Sequence, residues 1–272
     1  MSEPLLIHVH VPKCAGTTVE RHLRSELGRN GTWFAPKRTR KFPLGWFGRK
    51  YDATPKASLD EIKALSGHFI GQSIEGLFKD RCIVRSIILR EPESLMLSYY
   101  NYRMMRYIGL GQRPYGFSLF LRATRENFIS HFLLERWLEL PWVDLVRLTD
   151  AQKAERLNAA MASMHHIAPI AETDALVEKI SEEIGIGPAA ERRNTTEDRL
   201  SKTGWTMVRL GDLSDEDRGE LRSRTQLDRY LWRRWVLKEN VPFGEEARGR
   251  FKRTEFARPR YQCERRLARL FG

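Results

Sequence analysis

The chain reads as an α/β protein built on a central, mainly parallel sheet flanked by helices. Short apolar, β-prone runs alternate with helical periods, the pattern of strand-helix-strand units. One run, Ile83 to Leu89, is broken only by Arg85 and Ser86, as in a strand buried over most of its surface. The 272 residues suit one large α/β core better than two small ones, so a single domain over 1–272 is expected.

Each element has a local reason. Leu5 to His10 is a first strand, ended by Pro12 and followed by a helical pattern from Thr18 to Leu27 that Gly28 stops. Segment 30–57 is rich in Gly, Pro, basic and aromatic residues without a period, which predicts a long surface excursion. Ser58 with Glu61 has the spacing of a capping box opening a short helix to Leu65, and Gly67 to Ile70 reads as a brief strand. After the Ile83 strand, Pro92 suits the first turn of a helix running to about Arg106. Gly109 to Gly116 is loop-like, and Phe117 to Leu140 reads as one helix with aromatic and leucine residues on one side. A helix from Asp150 to Met164, a strand from Ile167 to Ala171 and a helix from Thr173 to Ile184 follow, the last ended by Gly185. Beyond the polar loop Gly187–Gly204, Ser214 opens a long helix to about Lys238, and 242–272 is a basic C-terminal tail.

Composition narrows the classes. With 41% hydrophobic and 30% charged residues the chain lies outside the disordered regime. The start, Met-Ser-Glu-Pro, lacks a signal-peptide pattern and no apolar run reaches the ~18 residues of a membrane span, so a cytoplasmic protein is expected. Cys14, Cys82 and Cys263 have no metal-ligand spacing, and no metal is expected. The 47 basic against 35 acidic residues give +12, which favours an anionic partner without choosing among them.

Two segments carry chemistry. In Pro12-Lys13-Cys14-Ala15-Gly16-Thr17-Thr18, between a strand and a helix, Gly16 permits close backbone approach. Free N–H groups at the helix start, two hydroxyls and Lys13 favour a phosphate or sulfate. The lysine precedes the glycine, so this is not the G-x-x-x-x-G-K-[ST] loop of ATPases. The second segment, Leu89-Arg90-Glu91-Pro92, ends a buried strand, and Ser98-Tyr99-Tyr100 follows about two helical turns later. Arg90 and Ser98 could meet one ligand across the sheet mouth. Taken singly, each segment also fits an ordinary turn or a solvated arginine.

As a pair, His10-Val11-Pro12-Lys13-Cys14-Ala15-Gly16-Thr17-Thr18 and Leu89-Arg90-Glu91-Pro92 with Ser98-Tyr99-Tyr100 resemble the sulfotransferases that use 3′-phosphoadenosine 5′-phosphosulfate (PAPS), especially the carbohydrate type. The resemblance implies a P-loop-like three-layer fold. It implies that Lys13, Cys14, Ala15, Gly16, Thr17 and Thr18 hold the 5′-phosphosulfate, with Arg90 and Ser98 on the 3′-phosphate. A late loop, at Arg192, Arg193 and Asn194, would approach the nucleoside, with Arg193 as the expected contact. Lys13 would stabilise the leaving oxygen, and no metal is required.

His68, in Ser66-Gly67-His68-Phe69, is the expected general base because related carbohydrate enzymes carry a Gly-His pair near the acceptor. A structural histidine is the alternative, and Glu20 is the fallback base. His8, His10 and His131 are expected to be structural, and Cys14 to pack within its loop. Segments 30–57 and 103–116, with Lys37 to Lys41, Trp46 and Phe47, are expected on the acceptor side, where charge beside aromatic surface suits a saccharide.

The partner expected is a glycan, polysaccharide or glycolipid acceptor. No stable nucleic-acid partner is expected, and the basic surface suits peripheral membrane contact. A small-molecule or peptide acceptor, or a non-catalytic nucleotide- or polyanion-binding protein of this fold, are the alternatives.

Overall fold

A computed structural model describes residues 3–34, 38–40, 49–51, 58–187 and 203–243. Its centre is a five-stranded sheet, β1 (Leu5–Val9), β2 (Thr32–Phe34), β5 (Ala64–Gly67), β6 (Ile83–Leu89) and β7 (His166–Pro169), in the order β2-β5-β1-β6-β7. Every pairing in it is parallel, with Val9 opposite both Gly67 and Ile87. All five residues of β1 are buried, so both faces of the sheet are covered at its centre. A separate antiparallel pair joins β3 (Arg38–Arg40) and β4 (Arg49–Tyr51).

Helix α1 (Gly16–Leu27) connects β1 to β2 and packs against α7 (Thr173–Ile184), which also contacts β1 and β7. Helix α2 (Pro92–Ile108) leaves β6. Then come α3 (Phe117–Ala123), α4 (Phe128–Phe132) continued by a π-helical turn (Leu133–Trp137), α5 (Trp142–Leu145) and α6 (Asp150–Ala162). The last helices are α8 (Asp215–Arg224) and α9 (Gln226–Leu231), with a second π turn over Trp232–Val236 that rests against β7. A satellite core of Met96, Tyr100, Met104, Phe117, Phe120, Leu213 and Leu221 ties α2, α3 and α8 together.

Several local expectations yield to tertiary pairing. Thr32–Phe34, expected within a surface excursion, is an edge strand with Trp33 buried. The helix expected from Ser58 is a turn in which Ser58 Oγ accepts from the Asp60 N–H, because Ala64 and Leu65 are drawn in between β2 and β1. That places the strand at Ala64–Gly67, earlier than the Gly67–Ile70 expected.

The single helix expected over Phe117–Leu140 is interrupted at Asn127, whose φ is 48°. Its N–H donates to the Arg224 carbonyl and its side-chain oxygen accepts from the Leu227 N–H, starting α9. Asp228 returns the contact, accepting from the Ile129 and Ser130 N–H groups at the start of α4. The same exchange breaks the long C-terminal helix at Thr225. Segment 103–116 is helical through Ile108, and the loop after it is held where the Tyr100 hydroxyl donates to the Tyr115 carbonyl at 2.7 Å. No helix among the described residues is long and apolar enough to cross a membrane.

Candidate functional site

The chain leaves β1 toward β2 on one flank of the sheet and leaves β6 toward β7 on the other, so the carboxyl ends of these adjacent strands form a topological switch point, where open α/β sheets place their ligands. Both chemistry-bearing segments begin there.

The first is the loop from His10 to Gly16. Lys13 and Ala15 adopt left-handed backbone conformations, φ 68° and 55°, on either side of Cys14. Such alternation turns successive N–H groups into one concavity, a geometry that binds anions. Ala15 caps α1 and offers no side-chain acceptor; the Thr18 N–H turns back to the Ala15 carbonyl at 2.8 Å, and the Gly16 and Thr17 N–H groups at the helix start face the loop. By contrast Glu91, Thr149 and Ser214 cap α2, α6 and α8 with their own side chains. Thr17 is exposed and Thr18 half-buried, both on the first turn of α1.

Gly16 also has a packing reason beyond the one the sequence suggests. A β-carbon there would lie 2.1 Å from His10 Cδ2, so the missing side chain makes room for an imidazole. That imidazole is anchored through Nδ1. His10 Nδ1 is 2.8 Å from Glu20 Oε1, which also accepts from Ser66 Oγ at 2.8 Å. Burial alone would raise the Glu20 pKa; the hydrogen bonds from His10 and Ser66 outweigh it and hold the carboxyl below its usual value. An ionised carboxylate already accepting two donors is a poor proton acceptor, which weakens the case for Glu20 as base.

His68, just past the end of β5, packs on the same ring at a centroid distance of 4.1 Å. Its Nδ1 lies 2.8 Å from the His10 backbone carbonyl. A carbonyl only accepts, so the proton resides on Nδ1 and Nε2 keeps its lone pair. Burial, together with the positive charge available to His10, lowers the His68 pKa and favours the neutral ring at pH 7. The outer side of His68 is exposed.

His8 and His131 are buried and pushed down to about 3, chiefly by desolvation. His8 is hydrogen-bonded to Ser86, and His131 stacks on Trp142. Neither ring is placed to receive a substrate proton.

The second segment sits beside the first. The Cys14 thiol is buried, faces the Arg90 backbone N–H, and is pushed up to about 12 by desolvation, so it packs as a neutral group. Arg90 Nε donates to Ser94 Oγ at 3.1 Å. Burial lowers the Arg90 pKa, and among the described residues the guanidinium has no ion-pair partner. The adjacent Glu91 carboxylate partly offsets the buried charge but is itself engaged in capping α2, so an anion at the guanidinium would improve its environment. Ser98 lies one turn beyond Ser94 on the same face of α2, half-buried.

Sequence reasoning missed three contributors: Ser94, which orients Arg90; Ser66, which shares Glu20; and Tyr102, whose ring lies under Lys13 Nζ at 4.3 Å. Ser94 and Tyr102 stand four residues either side of Ser98, a spacing that could have revealed them.

Arg192, Arg193 and Asn194, the Lys37–Lys41 stretch as a set of side chains, Trp46, Phe47 and the tail beyond Phe243 lie outside the described residues. Among the described residues no cluster of His, Cys, Asp or Glu could hold a metal ion.

No protein-family model and no curated protein matches the chain. Among solved structures, the chain is similar to a sulfotransferase from Alicyclobacillus acidocaldarius, with 15% identity and a TM-score of 0.38, covering 86% of this chain and 100% of that one.

Proposed function

We propose that this chain is a sulfotransferase that moves a sulfuryl group from PAPS to a hydroxyl of a carbohydrate or glycolipid acceptor by in-line displacement. The observation that carries the reading is the convergence, at one switch point, of a loop opening on a helix start, a half-buried arginine with no ion pair among the described residues and a histidine of fixed tautomer. The donor supplies an activated sulfuryl group on a good leaving phosphate.

The open N–H groups of α1, with Thr17 and Thr18, are suited to the 5′ end, and Arg90 and Ser98 to the 3′-phosphate. His68 Nε2 takes the acceptor's proton as the hydroxyl oxygen bonds to sulfur. The bond from sulfur to the 5′-phosphate oxygen breaks and its electron pair stays with that oxygen. Lys13 offsets the charge arriving there, and the proton on His68 passes to water afterwards. A binding protein of the same fold would need neither an open Nε2 nor a lysine at the leaving group.

Calorimetry with 3′-phosphoadenosine 5′-phosphate tests the donor. Binding tighter than AMP and weakened at least tenfold by Arg90→Ala is expected; binding no tighter than AMP and indifferent to Arg90 would sink the reading. Radiolabelled PAPS with a panel of glycans, glycolipids, small alcohols and peptides then identifies the acceptor class.

A further inference from the structure

Glu20 stands four residues after Gly16 and so shares its face of α1, and both meet the His10 ring. Gly16 makes room for the imidazole, and Glu20 anchors it. A single oxygen, Oε1, accepts from His10 Nδ1 and from Ser66 Oγ, each at 2.8 Å. His10 follows β1 and Ser66 lies within β5, so one carboxylate on α1 ties the ends of two paired strands together. His68 joins the assembly through His10, by the 2.8 Å contact of its Nδ1 with the His10 carbonyl and by ring packing at a centroid distance of 4.1 Å.

We propose that Glu20 is a positioning residue for His68: by anchoring His10 and Ser66 it keeps the His68 ring on the His10 carbonyl, and so keeps Nε2 as the nitrogen that takes the acceptor's proton. The inference rests on the reaction reading above. A neutral imidazole exchanges between two tautomers, and the hydrogen bond made by one nitrogen decides which is held. The His10 carbonyl makes that bond while the two rings stay packed, and the His10 ring stays in place because its Nδ1 is anchored. Released, the His10 ring turns, the wall behind His68 goes with it, and His68 is free to rotate toward water. The hold depends on an acceptor oxygen at the right reach and not on charge, because an amide oxygen accepts from an N–H and an O–H as a carboxylate oxygen does. General-base chemistry at position 20 has the opposite requirement, since it needs the carboxylate.

Substitutions that separate reach from charge test this. Glu20→Gln keeps the length and an acceptor oxygen but removes the charge; Glu20→Asp keeps the charge but withdraws it by one methylene; Glu20→Ala removes both. Without any ligand, long-range proton–nitrogen NMR spectra above neutral pH should show His68 protonated on Nδ1 in the wild type and in Glu20→Gln, and partly on Nε2 in Glu20→Asp and Glu20→Ala. The His68 signals are identified by their loss in His68→Asn. With PAPS and an identified acceptor, Glu20→Ala and Glu20→Asp should lower kcat about ten- to hundredfold, the cost of a misplaced base, with the KM for PAPS unchanged. Glu20→Gln should recover most of that loss.

Three results would overturn the proposal while leaving the donor reading intact: His68 still protonated on Nδ1 in both Glu20→Asp and Glu20→Ala, equal losses of kcat in Glu20→Gln and Glu20→Ala, or an active Glu20→Asp beside an inactive Glu20→Gln. The last would make Glu20 the base. If Glu20→Ala does not fold, Glu20→Gln and Glu20→Asp decide the matter by themselves. No transfer by the wild type to any acceptor of the panel would sink the reaction reading, and the positioning role with it.

Discussion

Replacing Gly16 by alanine tests the mechanical link between the loop at Lys13–Gly16 and the His10–His68 ring pair. The new methyl carbon would stand 2.1 Å from His10 Cδ2 and 2.4 Å from Cγ, so the imidazole must retreat by more than an ångström to reach the ~3.5–4 Å of ordinary contact. It cannot retreat freely, because the tilted His68 ring packs on it at a centroid distance of 4.1 Å and Glu20 holds Nδ1 at 2.8 Å. The Gly16 backbone is not in the left-handed region, so steric overlap is the whole effect. Overpacking costs roughly 1–3 kcal/mol and loss of a hydrogen bond to a charged group roughly 1.5–3 kcal/mol, so Gly16→Ala should destabilise by about 2.5–6 kcal/mol. For a chain of this size that lowers Tm by roughly 5–25 °C. Calorimetric melts of wild type, Gly16→Ala, His10→Ala and the double variant decide it. With the imidazole gone, the glycine substitution should cost less than about 1 kcal/mol. A Gly16→Ala melt within a degree of wild type, or an undiminished cost in the His10→Ala background, refutes the packing argument.

Other outcomes follow from neighbouring groups. Because the His68 pKa is lowered, kcat/KM on an identified acceptor should be on its plateau at pH 7, with an acidic limb below the ordinary histidine range that His68→Ala abolishes; the rate should drop about 10²- to 10⁴-fold, and full turnover would require another base. Asp228, pushed up from 3.8 to about 6 chiefly by burial, binds a proton more readily folded than unfolded. Its contribution is therefore fully present below pH ~4 and lost as pH rises through about 6, a difference of about 3 kcal/mol. Urea titrations should show wild type losing that much relative to Asp228→Asn across this window; parallel curves would refute the assignment. With its thiol buried and held at about 12, Cys14 should resist alkylation at pH 8 while the exposed Cys82 reacts, as read by peptide mass spectrometry. Equal labelling of both would contradict the packing of the loop on Arg90.

Apolar runs and their spacing were enough to announce the parallel sheet. Leu5–Val9 and Ile83–Leu89 are buried strands because residues of that hydrophobicity have nowhere else to go, and Gly28 and Gly185 close helices through local backbone geometry. The order of Lys13, Gly16 and the two threonines marked the loop as a candidate anion site through chemistry that is local to a helix start. Long-range pairing decided the rest. A strand at Ala64–Gly67 wins over a helix signal because β1 and β2 supply its hydrogen bonds from far along the chain, and the breaks at Asn127 and Thr225 exist because two helix starts, nearly a hundred residues apart, cap one another. The same holds for the feature that gives the site its direction. A backbone carbonyl of His10 fixes the proton of His68, and the ring beside it requires a glycine at position 16. Sequence determined which residue types could bind an anion; only the meeting of β1, β5 and α1 in space decided which nitrogen is left to accept a proton.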